Sequence, residues 1–388
     1  MNRPRLLPPG LLPLLAGCVF IAASLNAPAR DYWVYLGTFT GQNSKGIYVS
    51  RLDDHGKLSP PELAATNDRP VFFVVDHKNR FLYAANETSN FRNTQGGSIS
   101  AFAVDAKTGH LTALNQESAI ARGPDHIDID ATGQAVMVAN YDGSSVTSFP
   151  IKSDGSVGPA ANFIQQHGSS IVPGRQDVPH AHSISVDPGN HFALVCDLGL
   201  DQVLVFKLDP RKATLTPNDP PFVKVTPGSG PRHLAFHPNG RFAYLISEIA
   251  CTMTAYGFDP KQGTLTELQT ISTLPAGTDK LTNYACAEVV VHPSGKFLYG
   301  SNRGPNTIVV YAIDQKTGKL TSVEHVPCGG LIPRNFNIDP SGRFLLSANQ
   351  DSGNITVFSI DEKTGRLTPT GNEAKLEKPV CVVFVPVK

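Results

Sequence analysis

Beyond residue 30 the chain is a succession of short apolar runs broken by polar turns, with no stretch of sustained helical period. The segment GPRHLAFHPNGRFAYLISE, from Gly230 to Glu248, shows the unit. Two apolar runs flank His237-Pro238-Asn239-Gly240, a turn sequence, so the segment predicts a β-hairpin. The outline recurs as RPVFFVVDHKNRFLYAANE (69–87), GPDHIDIDATGQAVMVANY (123–141), VPHAHSISVDPGNHFALVCDL (178–198), CAEVVVHPSGKFLYGSNR (286–303) and IPRNFNIDPSGRFLLSANQ (332–350). A second hairpin follows each copy, for example SISAFAVDAKTGHLTAL or NITVFSIDEKTGRLTPT. Lys-Thr-Gly turns at 107–109, 316–318 and 363–365 punctuate these second hairpins.

Each unit is therefore four antiparallel strands, A to D. From Val71 onward successive A strands are spaced by 54, 57, 50, 55 and 47 residues. Four-stranded units at that period are propeller blades. Six are complete. DYWVYLGTF, KGIYVSRL and KLSPPELA near the N-terminus read as strands B, C and D, and KPVCVVFVPV (378–387) reads as the missing A. Joining them closes the ring and removes an exposed sheet edge. The expected fold is all-β: a seven-bladed β-propeller over residues 31–388, closed by the C-terminal strand in the N-terminal blade.

Composition narrows the partners. Lys plus Arg equals Asp plus Glu, 33 each, so no charge excess points to nucleic acid or an anionic membrane surface. Arg3 and Arg5, an apolar run over about 11–25 and the small-residue site Ala27-Pro28-Ala29 make residues 1–30 a predicted signal peptide. Leu15-Ala16-Gly17-Cys18 also reads as a lipobox, which would anchor the chain through a lipid on Cys18. The expected location is outside the cytoplasm, periplasmic or secreted, and nothing after residue 30 is apolar for long enough to span a bilayer. Five cysteines follow the leader, at 196, 251, 286, 328 and 381. Cys251 and Cys286 fall on one face in neighbouring blades, so a disulfide is open to them. No C-x-x-C, H-E-x-x-H or G-x-S-x-G is present, and neither metal nor cofactor is expected.

Candidate chemistry emerges when the blades are aligned. The first residue of strand A and the residue sixteen later form the pairs Val71/Glu87, Asp125/Tyr141, His182/Leu198, Arg232/Glu248, Ala287/Arg303 and Arg334/Gln350. In an antiparallel hairpin these positions share one end, so both columns should ring one mouth of the central channel. The opposite end of strand A carries Asp76, Asp130, Asp187, His237, His292 and Asp339, which read as turn formers. Asn86, Asn140, Asn302 and Asn349 likewise read as turn caps. His182, Arg232, Glu248, Arg303 and Arg334 are the exceptional set, with His126, His180, His233 and Glu288 beside them. Arginines capture carboxylate or phosphate and stabilise an oxyanion. A carboxylate or histidine among them can move a proton.

The stretches PGRQDVPHAHSISVDP (173–188), GSGPRHLAFHPNGRFAYLISE (228–248), EVVVHPSGKFLYGSNRG (288–304) and IPRNFNIDPSGRFLLSANQDS (332–352) resemble the seven-bladed propeller lactonase family. That family includes bacterial propeller-type 6-phosphogluconolactonases and the fungal carboxy-cis,cis-muconate cyclase. The resemblance implies opening of a sugar lactone at the channel mouth, without a cofactor. It also implies a catalytic set of His182 (or His180), Arg232, Glu248 and Arg303. Arg175 and Gln176 belong to the same pattern, on the loop entering blade 4, and are expected at the substrate with His180, His233, Glu288 and Arg334. The expected ligand is a small lactone or anionic sugar. Two other readings use the same rim: a non-catalytic propeller that binds an anionic sugar or a partner protein, and a cyclase acting on an unsaturated dicarboxylate. Glu248 or His182 is the expected base for the attacking water.

Overall fold

The computed structural model describes residues 31–41 and 43–388. The signal peptide and lipobox expectations, Cys18 included, concern residues outside the described ones. Twenty-eight strands form seven four-stranded antiparallel sheets. A three-residue 3-10 turn at Phe91–Asn93 is the one helical element among the described residues. In blade 1 the order is Pro379–Pro386, Tyr32–Thr38, Gly46–Leu52, Glu62–Thr66, so the last strand supplies A and the ring closes as expected. The A strands of blades 2 to 7 are Pro70–Val75, Pro124–Ile129, Ala181–Val186, Pro231–Phe236, Ala285–Val291 and Pro333–Ile338. Each packs beside the A strands of both neighbours, which makes A the innermost strand around the channel.

The core lies between blades. Seven apolar clusters fill the seven junctions, one each. Six junctions share a latch that explains the glycine of the second hairpin. An aromatic residue in strand B (Trp33, Phe81, Phe192, Phe242, Phe297 or Phe344) lies flush on the C–D turn glycine of the next blade (Gly109, Gly155, Gly263, Gly318, Gly365 or Gly56). A Cβ on any of these glycines would fall within 2.8 Å of the ring, and their φ values of 68–86° are left-handed. At four latches a tyrosine two residues on donates its hydroxyl to the same glycine's carbonyl: Tyr35, Tyr83, Tyr244 and Tyr299, at 2.8–3.1 Å. Removing such a buried ring costs about 3–5 kcal/mol. Between blades 3 and 4 the corresponding residues are Ala135 and Ala213, and the Ser148 hydroxyl donates to the Ala213 carbonyl instead.

Turn formers at the far end behave as their sequence indicates. Asp130 accepts the backbone N–H groups of Gln134 and Ala135, and Asp187 those of His191 and Phe192. His237 and His292 reach across to the carbonyls of Gly295 and Gly342 in the next blade. The five cysteines among the described residues are all buried free thiols. Cys251 and Cys286 share one apolar cluster as hydrogen-bonded thiols, with no disulfide between them. The Cys286 thiol is engaged by Thr273 Oγ1 at 3.0 Å and Asn302 Oδ1 at 3.2 Å.

Candidate active site

The first sequence column is a ring of β-bulges. In blade 2 Pro70 pairs with Asn86 and Phe72 with Ala85, which leaves Val71 unpaired. The same slip isolates Asp125, His182, Arg232 and Arg334, and Val380 in blade 1. In blade 6 it isolates Ala287 and Glu288. A bulge breaks the alternation of a strand and re-aims the extra side chain. Here it turns one residue per blade onto the channel mouth. Proline before the bulge (Pro70, Pro124, Pro231, Pro333) suits a position where the strand ladder begins.

Asp125, His182, Arg232 and Arg334 from the bulges, with Glu87, Tyr141, Glu248 and Arg303 from the ends of strand B, line one cavity of about 210 Å³ at this mouth. Glu248 is its electrostatic centre. Its Oε2 takes Arg232 Nη1 at 2.6 Å and Arg303 Nη2 at 2.8 Å, with His182 Nε2 at 3.6 Å. Its Oε1 takes Arg175 Nη2 at 2.5 Å. Burial pushes the Glu248 pKa up, but Arg303, Arg232 and His182 outweigh it and hold the carboxyl well below the usual range. Burial also pushes the Arg303 guanidinium down to about 10, against the pull of Glu248.

His182 is almost fully buried between two partners. Nδ1 is 2.6 Å from Asp125 Oδ2, with the oxygen out of line with the ring N–H, and Nε2 meets Arg232 Nη1. A guanidinium can only donate. Contact with it therefore places the lone pair on Nε2 and the proton on Nδ1, facing Asp125. Burial opposes ionisation of Asp125, but His182, Arg334 and Arg232 overcome it and keep the group a carboxylate. Arg334 Nη2 reaches Asp125 Oδ1 at 3.4 Å, and its guanidinium lies over the Phe39 ring.

The remaining predicted residues sit around this cavity rather than in it. His180 stacks on Tyr141 at 4.3 Å and bonds the Tyr141 carbonyl, so His182 is the histidine at the cavity. His233 pairs with Glu288 at 2.8 Å, and Asn335 bonds the other Glu288 oxygen at 2.5 Å. With His126 stacked on Phe72, they form the buried layer beneath the floor. Arg175 reaches in from the long loop. Gln176 is fully buried: its amide accepts from Val172 N–H and donates to the Leu198 carbonyl, so it staples the loop instead of facing a ligand. Five cavity residues were absent from the predicted set: Glu87, Gly123, Asp125, Tyr141 and Asp142; two of them, Asp125 and Glu87, bear on the chemistry. Both stand in the aligned columns, and Asp125 occupies the bulge of the blade next to His182. Among the described residues no three His, Cys, Asp or Glu side chains are arranged to hold a metal ion.

The comparisons agree with this architecture. A 6-phosphogluconolactonase of Bacillus subtilis is 34% identical over 309 residues, 79% of this chain and 85% of that protein. One from Formosa agariphila is 35% identical over 313 residues, 79% and 86% of the two chains. The solved structure of a periplasmic gluconolactonase from Pseudomonas aeruginosa superposes with a TM-score of 0.86 at 32% identity, over 92% of this chain and all of that one. The profile of the family described as Lactonase, 7-bladed beta-propeller, matches residues 33–384. With its bulge-built mouth and these relatives, the chain belongs to the seven-bladed β-propeller lactonase family.

Proposed function

We propose that this protein hydrolyses an uncharged sugar lactone, with His182 as the base. The observation that carries the reading is the Asp125–His182 pair set against Arg232 and Arg303 in one polar cavity. A lactone carbonyl placed between the two arginines would have its developing oxyanion met by guanidinium N–H groups. Asp125 holds the ring in the tautomer that leaves Nε2 unprotonated, and His182 Nε2 takes a proton from the attacking water once Arg232 Nη1 turns from it to the lactone oxygen. Glu248, caged by three guanidinium groups, is too weak a base for that step. Its role is to fix Arg232 and Arg303 and to neutralise them.

Charge balance supports an uncharged substrate. Arg232, Arg303 and Arg334 line the cavity and Arg175 caps it, against the carboxylates Glu87, Asp125, Asp142 and Glu248. Each of these arginines already has a carboxylate partner. A phosphate dianion would meet no unpaired cation there. The relatives named 6-phosphogluconolactonase act, by their names, on a phosphorylated lactone, and the Pseudomonas relative, by its name, on gluconolactone in the periplasm. The latter suits the N-terminal pattern and supports export of this chain. The test is acid release in a pH-stat from glucono-1,5-lactone and from its 6-phosphate, each corrected for spontaneous opening. A wild-type kcat/KM higher for the phosphorylated lactone would overturn the uncharged assignment, and no release from either would overturn hydrolysis.

A further inference from the structure

Glu87 and Glu248 end strand B in blades 2 and 5 and occupy the same place in the repeat, yet their surroundings are opposite. Glu248 has an arginine on the bulge of its own blade; Glu87 has Val71. Both Glu248 oxygens are taken by guanidinium groups. Glu87 Oε1 accepts from Arg69 Nη2 at 2.9 Å, while Oε2 is buried without a partner. Arg69 is itself divided, since its Nε bonds the Glu87 carbonyl at 2.7 Å and its plane lies over Phe39. The charged groups around Glu87 are Asp68, Arg69, Asp125, Asp142 and Arg334. Burial, then Asp125, push the Glu87 pKa up, and Arg334 and Arg69 offset this only in part. A buried, unpaired carboxyl oxygen near a second carboxylate is relieved by a proton. Two carboxyls of one site pushed in opposite directions mark separate acid and charge-fixing roles.

Given the hydrolase reading above, we propose that Glu87 is the general acid that protonates the departing ring oxygen. Water adds to the lactone carbonyl as His182 Nε2 accepts its proton. The tetrahedral intermediate then collapses, and the acyl carbon–ring oxygen bond breaks. Its electron pair stays on the ring oxygen, which receives the Glu87 proton. The His182 proton returns through solvent to Glu87, and the sum is lactone plus water giving the hydroxy acid. Glu87 is therefore a catalytic residue supplied by blade 2, two blades from His182 in the same cavity.

The experiment is the pH dependence of kcat/KM for Glu87→Gln, which keeps an acceptor for Arg69, and for Arg69→Met. On glucono-1,5-lactone Glu87→Gln should fall by about 100-fold and lose the alkaline limb of the wild-type profile. Arg69→Met removes a cation from the acid, so its alkaline limb should move to higher pH. On dihydrocoumarin, whose phenol leaves with little need of a proton, Glu87→Gln should lose less than about threefold. Equal losses on both lactones, an alkaline limb unchanged in either variant, or near wild-type activity in Glu87→Gln would overturn the role. Wild-type protein inactive on every lactone would instead sink the hydrolase reading on which it rests.

Discussion

The charge argument is tested most directly by Glu248→Gln. The substitution keeps shape and an acceptor but removes the one carboxylate that Arg175, Arg232 and Arg303 share. The cavity then gains a net charge of one. A phosphate group bound across the mouth would sit roughly 8 Å from that charge, where an effective dielectric of about 40 gives ~1 kcal/mol per unit charge and ~2 kcal/mol for a dianion. The ratio of kcat/KM for 6-phosphogluconolactone to that for gluconolactone should thus rise about 30-fold. Turnover of plain gluconolactone should fall, because the arginines lose their anchor, but should not vanish, because the base is His182. Breaking a buried pair in this way should also cost about 3–5 kcal/mol of stability, so rates belong well below the melting transition, with folding checked by circular dichroism. A ratio that stays level or drops would refute the electrostatic reasoning. Complete loss of gluconolactone turnover in a folded variant would return the base to Glu248.

Other expectations follow from the same geometry. Asp125→Asn should lower kcat by about 10³–10⁴-fold through the wrong His182 tautomer, with KM changed far less, as steady-state kinetics will show. Gln176→Ala should free the loop carrying Arg175, visible as faster proteolysis within 168–178 and a raised KM. Native protein should react with almost no thiol reagent, while unfolded residues 31–388 should titrate five thiols, since all five are buried and free. Glu248 and Asp125 hold depressed folded-state pKa values. Their stabilisation is therefore complete above about pH 4–5, the unfolded range, and is lost as pH falls toward the folded values. Glu248→Gln should flatten that acid limb in denaturant titrations.

The fold was legible because a propeller repeats its grammar: hairpin, turn, hairpin, at a steady period, with the missing strand visible at the far end. The column of site residues was legible for the same reason, since one bulge per blade keeps the sixteen-residue spacing constant. What the columns do not carry is which side chains meet across blades. Asp125 stood in the column beside His182, but its contact with Nδ1 depends on how two bulges face each other over a junction. Glu87 aligned with Glu248, and only the absence of an arginine on its own bulge, a valine in the sequence, distinguished it. Arg175 and Gln176 are adjacent in one motif, yet one reaches the cavity and the other turns beneath the loop. Cys251 and Cys286 came together as thiols within one core cluster, where hydrogen bonds to Thr273 and Asn302 engage Cys286.

The junction without an aromatic latch has a mechanical consequence. Blades 3 and 4 meet through Ala135 and Ala213, where every other joint sets a ring on a glycine. Asp125 belongs to blade 3 and His182 to blade 4, so the base and the carboxylate that orients it stand on opposite sides of the one junction that lacks the aromatic latch. Without a buried ring worth about 3–5 kcal/mol, that seam should loosen on warming ahead of the other six, and a small outward breathing there would separate the pair while all seven sheets stay intact. Heat should therefore silence the protein below its melting point, and cooling should restore it.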